Sequence, residues 1–334
     1  MNALHLFFHK WNFVFLVALA VQKKRIQKTG DVAQVFCQLL LPQGEIYICQ
    51  LPHNCLLTPS RFYLKLKKTL YGLWYSPRHF YDLTKKTLEE VDLKVHPSSP
   101  CLFSGAFIKG HPPLYIWLYI NDVIYFLENP AVETKFKTEF GSCLDTNFNS
   151  KVGYFPGIKF TTKELDDGQV EILLTQEALI DNLCTIANLD SNTVNKPHTL
   201  YCSGISTITN MCAKYIMICP SKGHTNQVKC IIWYLKGTKS KGISFSSKTN
   251  PQLLAFIKFP IRNQIVSLCD ANWGPQDQSV PPLGTNKQVE LFKNRSVSGF
   301  LVWLGGPIHW VSKRQSFTAR SSTESEIYAT NECI

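Results

Sequence analysis

The stretch Leu114-Tyr-Ile-Trp-Leu-Tyr-Ile-Asn-Asp-Val-Ile-Tyr-Phe126 constrains this chain most. Its apolar residues run to Ile120, resume at Val123 and are parted only by Asn121 and Asp122. Two strand-like runs separated in this way predict a tight β-hairpin with an amide and a carboxylate in its turn. Asn-Asp is also ordinary turn chemistry and by itself demands no function. A functional reading needs a second carboxylate, on another strand, that shares a cation with Asp122. Asp31 is the candidate, because the strand-forming residues from Gly30 to Phe36 put it at the end of a buried strand. Spacing alone leaves open whether the two meet.

The 334 residues allow two domains or one large one, and 45% apolar with 18% charged residues supports a sizeable core. The formal charge of +11 favours a polyanionic partner, nucleic acid or an anionic membrane surface. Basic residues are spread along the chain, with local clusters at 23–25, 65–68 and 236–241. The 12 cysteines form no Cys-x-x-Cys and no zinc-type spacing with histidine, so they read as reduced, intracellular core residues. Phe13 to Val21 is continuously apolar but short for a membrane span. A buried helix is the main reading, with a secretory signal over residues 1–22 as the minor alternative.

Further along, Leu39 to Gly44 reads as a turn and Glu45 to Ile48 as a strand. Ser76 followed by Pro77 predicts a helix capped by Ser76, with Phe80, Leu83, Leu88 and Val91 on its apolar face. Its N-terminus beside Lys67, Lys68 and Arg78 suits phosphate, and it serves equally as an ordinary amphipathic helix. Gly72 permits close backbone approach. Val228 to Leu235 reads as a helix end stopped by Gly237. Ile265 to Asp270, Gly299 to Gly305 and Ile308 to Val311 read as strands, followed by a helix opening at Ser321, with Ser322 and Ser325 as capping types and Glu326 facing back to Asp270. Ser279 to Leu291, with Pro281, Pro282 and Gly284, reads as a loop.

Four motifs, in order and spacing, resemble the reverse transcriptase of Ty1/copia-type retrotransposons. Asp31-Val-Ala-Gln-Val-Phe-Cys37 stands where that family has Asp-Val-Lys-x-Ala-Phe-Leu. Leu66 to Arg78 matches Leu-Lys-Lys-Ala-Leu-Tyr-Gly-Leu-Lys-Gln-Ser-Pro-Arg, Tyr119 to Asp122 matches Tyr-Val-Asp-Asp, and Tyr154 to Ile158 matches Tyr-Phe-Leu-Gly-Ile. Leu174 to Leu183 resembles the helix that begins the family's thumb, and Ile205 to Met217 with Gln227 to Thr238 its connecting helices. Part of the family pattern between Pro197 and Ile205 is missing. Asp270-Ala-Asn-Trp273, Ser296 to Phe300 and Ser321 to Ile327 resemble its ribonuclease H domain.

The resemblance implies an α+β fold. A reverse-transcriptase palm would span 1–163, a helical thumb and connection 164–250, and a C-terminally truncated ribonuclease H-like domain 251–334. It implies a template–primer or RNA–DNA hybrid as partner, no membrane, and an intracellular place in cytoplasm or nucleus. Lys67, Lys68, Tyr71, Gly72, Arg78, Phe155 and Gly157 would touch nucleotide or nucleic acid. Asp31, Asn121 and Asp122 would form the polymerase site and Asp270 and Glu326 the ribonuclease H site, the four acids holding Mg²⁺. Two metals about 3.5–4 Å apart serve nucleotidyl transfer in such sites.

The departures point to lost activity. Asn121 replaces the first acid of the paired motif and brings no negative charge, so metal binding should weaken. Asn121→Asp would restore it at almost constant shape, with little expected effect on folding. Trp74-Tyr75 replace Lys-Gln, and Pro156 is expected to interrupt a strand. The expectation from the sequence is also that the fingers, the remaining ribonuclease H acids and any protease, integrase or Gag-like segment are absent.

Overall fold

A computed structural model describes residues 10–50, 63–97, 99–165, 169–189, 222–248, 264–273 and 295–333. The chain divides into two compact units, one of Met1–Phe13 with Arg25–Pro156 and one of Val14–Lys24 with Gly157–Ile334. The fold is α+β, with helices set beside antiparallel sheets.

In the first unit, β1 (Ile26–Val32) joins β4 (Lys94–His96), β5 (Ser99–Gly105), β6 (Leu114–Tyr119), β7 (Asp122–Leu127) and β8 (Thr146–Asn149) in the order β4-β5-β6-β7-β1-β8. The described pairings within this sheet are antiparallel. Leu114, Ile116 and Leu118 of β6 and Val123, Tyr125 and Leu127 of β7 face one core. Alternation along a strand sends every second side chain to the same face, so these six form one apolar surface. On it pack α2 (Ser76–Glu90), through Phe80 and Leu88, and α3 (Pro130–Cys143), through Val132, Phe136 and Phe140. Leu83 and Val91 also pack against this core, as the apolar face predicted. Lys28 of β1 shares the row of Tyr125 and reaches Glu133 of α3 at 2.6 Å, while Lys137 holds the other Glu133 oxygen at 2.6 Å. Burial would raise the Glu133 carboxyl, but the two lysines win and hold it below its ordinary value.

Several local expectations shift. The strand expected at 45–48 is β2 (Ile48–Gln50), which pairs with β3 (Tyr63–Lys65). Ser76 does not cap α2; it is the helix's first residue and donates to the Leu70 carbonyl at 2.9 Å. Pro156 does not interrupt a strand: with Gly157 at φ 75° it forms the turn between β9 (Tyr154–Phe155) and β10 (Ile158–Glu164). Proline followed by a positive-φ glycine is the pattern of a type II turn.

The stretch 164–250 is not helical throughout. It holds α4 (Glu177–Ile186) and α5 (Lys222–Gly237), but also β11 (Val170–Thr175) and β12 (Ile243–Ser246), and β11 pairs with both β10 and β12. The boundary expected at 163 therefore falls inside β10. Helix α1 (Lys10–Gln22) buries Phe13, Val14, Leu16 to Ala18, Ala20 and Val21, as a core helix does. Among the described residues no helix is long and apolar enough to cross a membrane. In the second unit β13 (Val266–Asn272), β14 (Val297–Trp303) and β15 (Pro307–Arg314) form an antiparallel sheet against which α6 (Ser322–Cys333) packs. Ser321 caps α6 by accepting from the Glu324 amide at 3.1 Å, in place of Ser322 or Ser325. The readings at 197–217 and 279–291 lie outside the described residues.

Candidate active site

Register decides what the sheet can present. Asp31 of β1 stands directly opposite Asp122 of β7, Asp122 opposite Tyr119 of β6, and Asp31 opposite Asn147 of β8. Residues opposite one another in a ladder point to the same face. Tyr119, Asp122, Asp31 and Asn147 thus form one row across four strands, on the face opposite α2 and α3. The two acids whose meeting the sequence left open are cross-strand neighbours.

The hairpin tip differs from the expected turn. Its two turn residues are Ile120 and Asn121, and Asp122 already belongs to β7. Ile120 has φ 54°, a conformation costly for a β-branched residue but required at the first position of a tight hairpin turn. The Asn121 carbonyl accepts from the Val32 amide at 3.0 Å, which docks the tip onto the end of β1. The Asn121 side chain donates through Nδ2 to Asp31 Oδ1 at 2.6 Å. The amide presents its N–H because its oxygen would repel a carboxylate.

Burial, and then the facing Asp31 carboxylate, push the Asp122 carboxyl above its ordinary range. Neither acid forms an ion pair with a described basic residue. Two facing carboxylates without a basic partner are hard oxygen donors that fit a divalent cation such as Mg²⁺. Among the described residues no group of three or more His, Cys, Asp or Glu side chains could hold a metal ion. Asp31 and Asp122 are thus two carboxylates without a third such ligand among the described residues, and one Asp31 oxygen is already engaged by the Asn121 amide.

The other expected site residues divide. Phe155, expected to touch nucleic acid, is 5% exposed; its ring stacks on Phe13 at 5.2 Å and meets Tyr119 edge-on at 6.5 Å, so it supports the row from beneath. Gly157 is exposed in its turn. Lys67, Lys68, Tyr71 and Gly72 are exposed. Arg78 is exposed too, but its Nε binds Asp82 at 2.9 Å one helical turn on. In the second unit Glu326 of α6 accepts from the Ala271 amide at 3.0 Å, which sets it beside exposed Asp270 of β13. Asn147 was missed; the alternation in Thr146-Asn-Phe-Asn149 marks a strand, but nothing in it says which strand it joins.

Residues 10–199 match the model of the family "Reverse transcriptase (RNA-dependent DNA polymerase)". The chain belongs to that family. It is 24% identical to the retrovirus-related Pol polyprotein from transposon RE1 of Arabidopsis thaliana, over 93% of this chain and 21% of the relative. Its identity to the RE2 Pol polyprotein of the same plant is 26%, with the same two shares, 93% and 21%. Both agree with the copia-type resemblance of the motifs, and the chain spans about a fifth of the length of these relatives. A crystal structure of a prototype foamy virus protease–reverse transcriptase aligns at 12% identity over 96% of this chain and 37% of that one. Its TM-score of 0.24 is too low to carry an argument.

Proposed function

We infer that this chain is a copia-type Pol segment that keeps the scaffold and nucleic-acid affinity of a reverse transcriptase and has lost polymerisation. The observation that carries the reading is the Asn121 amide bound to Asp31 at 2.6 Å, where the family motif has a carboxylate. Asp31 and Asp122 would hold Mg²⁺. When bound, the ion would lower the proton affinity of the attacking 3′-hydroxyl and balance the charge on the leaving phosphates. Asn121 opposes that in two ways. It adds no negative charge to a half-buried site that must gather cations, and its N–H occupies an oxygen a cation would need. The palm would end near 163, the thumb and connection near 250, and a ribonuclease H-like part would follow. There Asp270 and Glu326 are the retained acids, and the Ala271 amide fixes the position of Glu326.

The +11 charge supports a template–primer or RNA–DNA hybrid as partner, met in cytoplasm or nucleus. The test is anisotropy with a labelled hybrid, alongside primer extension and hybrid cleavage in Mg²⁺. The expected result is salt-sensitive binding, its log–log slope growing by about 0.9 per phosphate neutralised on duplex DNA, with neither reaction detected. Extension by the unaltered chain that Asp31→Asn abolishes would overturn the inactive reading. Affinity indifferent to salt would overturn the binding one.

A further inference from the structure

The segment from β3 to the start of α2, which holds Lys67, Lys68, Tyr71 and Gly72, also carries Trp74 and Tyr75, to which the polymerase reading gives no role. Trp74 is 85% exposed, Tyr71 60% and Tyr75 52%. Three large aromatics open to solvent within five residues are costly unless something covers them. The segment is fixed, not slack. Thr69 donates its amide to the Leu39 carbonyl at 2.9 Å, and Leu41 donates to the Lys67 carbonyl at 3.1 Å. Gly72, at φ 92°, makes the bend, and Ser76 Oγ closes the loop onto the Leu70 carbonyl at 2.9 Å. Each tyrosine has one braced side. Tyr71 meets Phe36 edge-on at 4.8 Å, and Tyr75 stacks on His79 at 6.1 Å with planes 14° apart. The His79 ring lies 3.6 Å from the Glu45 carboxyl. Trp74 meets Tyr75 in a T-shaped contact at 6.0 Å and keeps most of its indole open to solvent. Lys65, Lys67 and Lys68 precede these rings, are exposed, and form no ion pair with a described acid.

We propose that Tyr71, Trp74 and Tyr75 form a stacking platform for unpaired nucleobases, with Lys65, Lys67 and Lys68 taking the phosphates of the same single strand. The proposal rests on the nucleic-acid-binding reading above and deepens it. The chemistry decides the occupant. Braced, solvent-exposed rings beside lysines that no described acid pairs match a strand whose bases are exposed and whose backbone is anionic. A duplex hides its base faces and offers only phosphate. An acidic peptide would satisfy the lysines and leave the rings uncovered.

The test uses the full chain and fluorescent single-stranded DNA and RNA, each compared with the blunt duplex of the same sequence. Trp74→Ala is expected to weaken single-strand binding on the order of 5- to 100-fold, the range for losing one base stack, and duplex binding less than about twofold. Trp74→Phe should recover most of the loss. A strand with abasic positions should lose affinity for the unaltered chain and little more for Trp74→Ala. Lys67→Ala with Lys68→Ala should weaken single strand and duplex alike and flatten the salt dependence. Trp74 is open to solvent, so its removal spares the core. Unchanged single-strand affinity in Trp74→Ala, with duplex binding intact, overturns the platform and leaves the broader reading standing. Absence of binding to every nucleic acid overturns both. A DNA–RNA difference that Trp74→Ala erases would show that the platform also discriminates the sugar.

Discussion

Asn121→Asp is the perturbation with most to say about the site. The sequence suggests a nearly silent change in folding, because the two side chains share a shape. The structure predicts otherwise, since the Asn121 amide donates to Asp31 at 2.6 Å and Asp122 stands across the ladder from Asp31. The variant loses a hydrogen bond to a charged group, about 1.5–3 kcal/mol. It also gains a like charge near Asp31: at an effective dielectric constant of ~20 and ~4 Å, about 4 kcal/mol of repulsion. The two terms overlap, and solvent at this partly open site screens both. The metal-free variant should be less stable by about 2–4 kcal/mol at pH 7, a fall of roughly 5–12 °C in Tm for a unit of this size. The assay is thermal unfolding in EDTA and across a Mg²⁺ titration, with primer extension in parallel. Mg²⁺ should restore much of the loss, since roughly 100-fold excess over Kd stabilises by about 2.7 kcal/mol. Extension should stay absent, because Trp74 and Tyr75 still replace the family's Lys-Gln. Combining Asn121→Asp with Asp31→Asn should recover most of the lost stability, because the repulsion has lost its partner. A Tm in EDTA within about 1 °C of the unaltered chain would refute the reasoning, since it would mean that the Asn121–Asp31 contact carries no free energy.

Two further predictions concern the scaffold. Glu133→Gln breaks the pair of contacts to Lys28 and Lys137 and should cost about 2–3 kcal/mol at pH 7, between an exposed ion pair and a buried one. Glu133 has a lowered folded-state pKa, so its contribution is present above the ordinary value of 4.5 and lost as pH falls through the lower folded one. The gap between the two proteins in urea unfolding should therefore close below about pH 4.5. Gly157→Ala forces a side chain onto φ 75° and should cost about 1 kcal/mol by the same measurement, with no clash to add, since a Cβ there meets nothing within 4 Å.

What the sequence could show was set by what repeats locally. The hairpin strands and helix α1 were legible as continuous apolar runs, the apolar face of α2 by its helical spacing, and strands β13 to β15 by their strand-forming residues. Asp31 and Asp122 were found because two ordered motifs flank them, but their pairing was not, since a strand does not name its neighbour. The same blindness hid Asn147 in β8. The short β2 begins three residues later than its propensity suggests because pairing with β3 selects Ile48–Gln50. The turn was misplaced by one residue because Ile120, a poor turn former, takes the positive φ while Asp122 pairs with Tyr119. Ser76 looked like a cap because serine usually is one; its hydroxyl is instead spent on the Leu70 carbonyl.

The altered residue and the intact scaffold have one physical explanation. Carboxylates that face one another repel when no cation lies between them. Burial, and then the facing Asp31, push the Asp122 carboxyl upward. A third carboxylate at position 121 would add to the repulsion. An amide in that place removes a charge and donates a hydrogen bond to one that remains, so under the function proposed above the same substitution stabilises the metal-free fold and would weaken a hold on metal. Sites of this kind trade stability against activity. Without a demand for catalysis, stability alone favours asparagine at the hairpin tip. Nothing in that exchange disturbs the core behind it, where Val123, Tyr125 and Leu127 still face α2 and α3. The register that brings Asp31 opposite Asp122 depends on that core, because a slip of one residue would carry Val123, Tyr125 and Leu127 to the opposite face of the sheet. The geometry of the site is therefore kept by hydrophobic packing, which the substitution leaves untouched, while the charge it lacks belongs to one half-buried turn position that accepts asparagine readily.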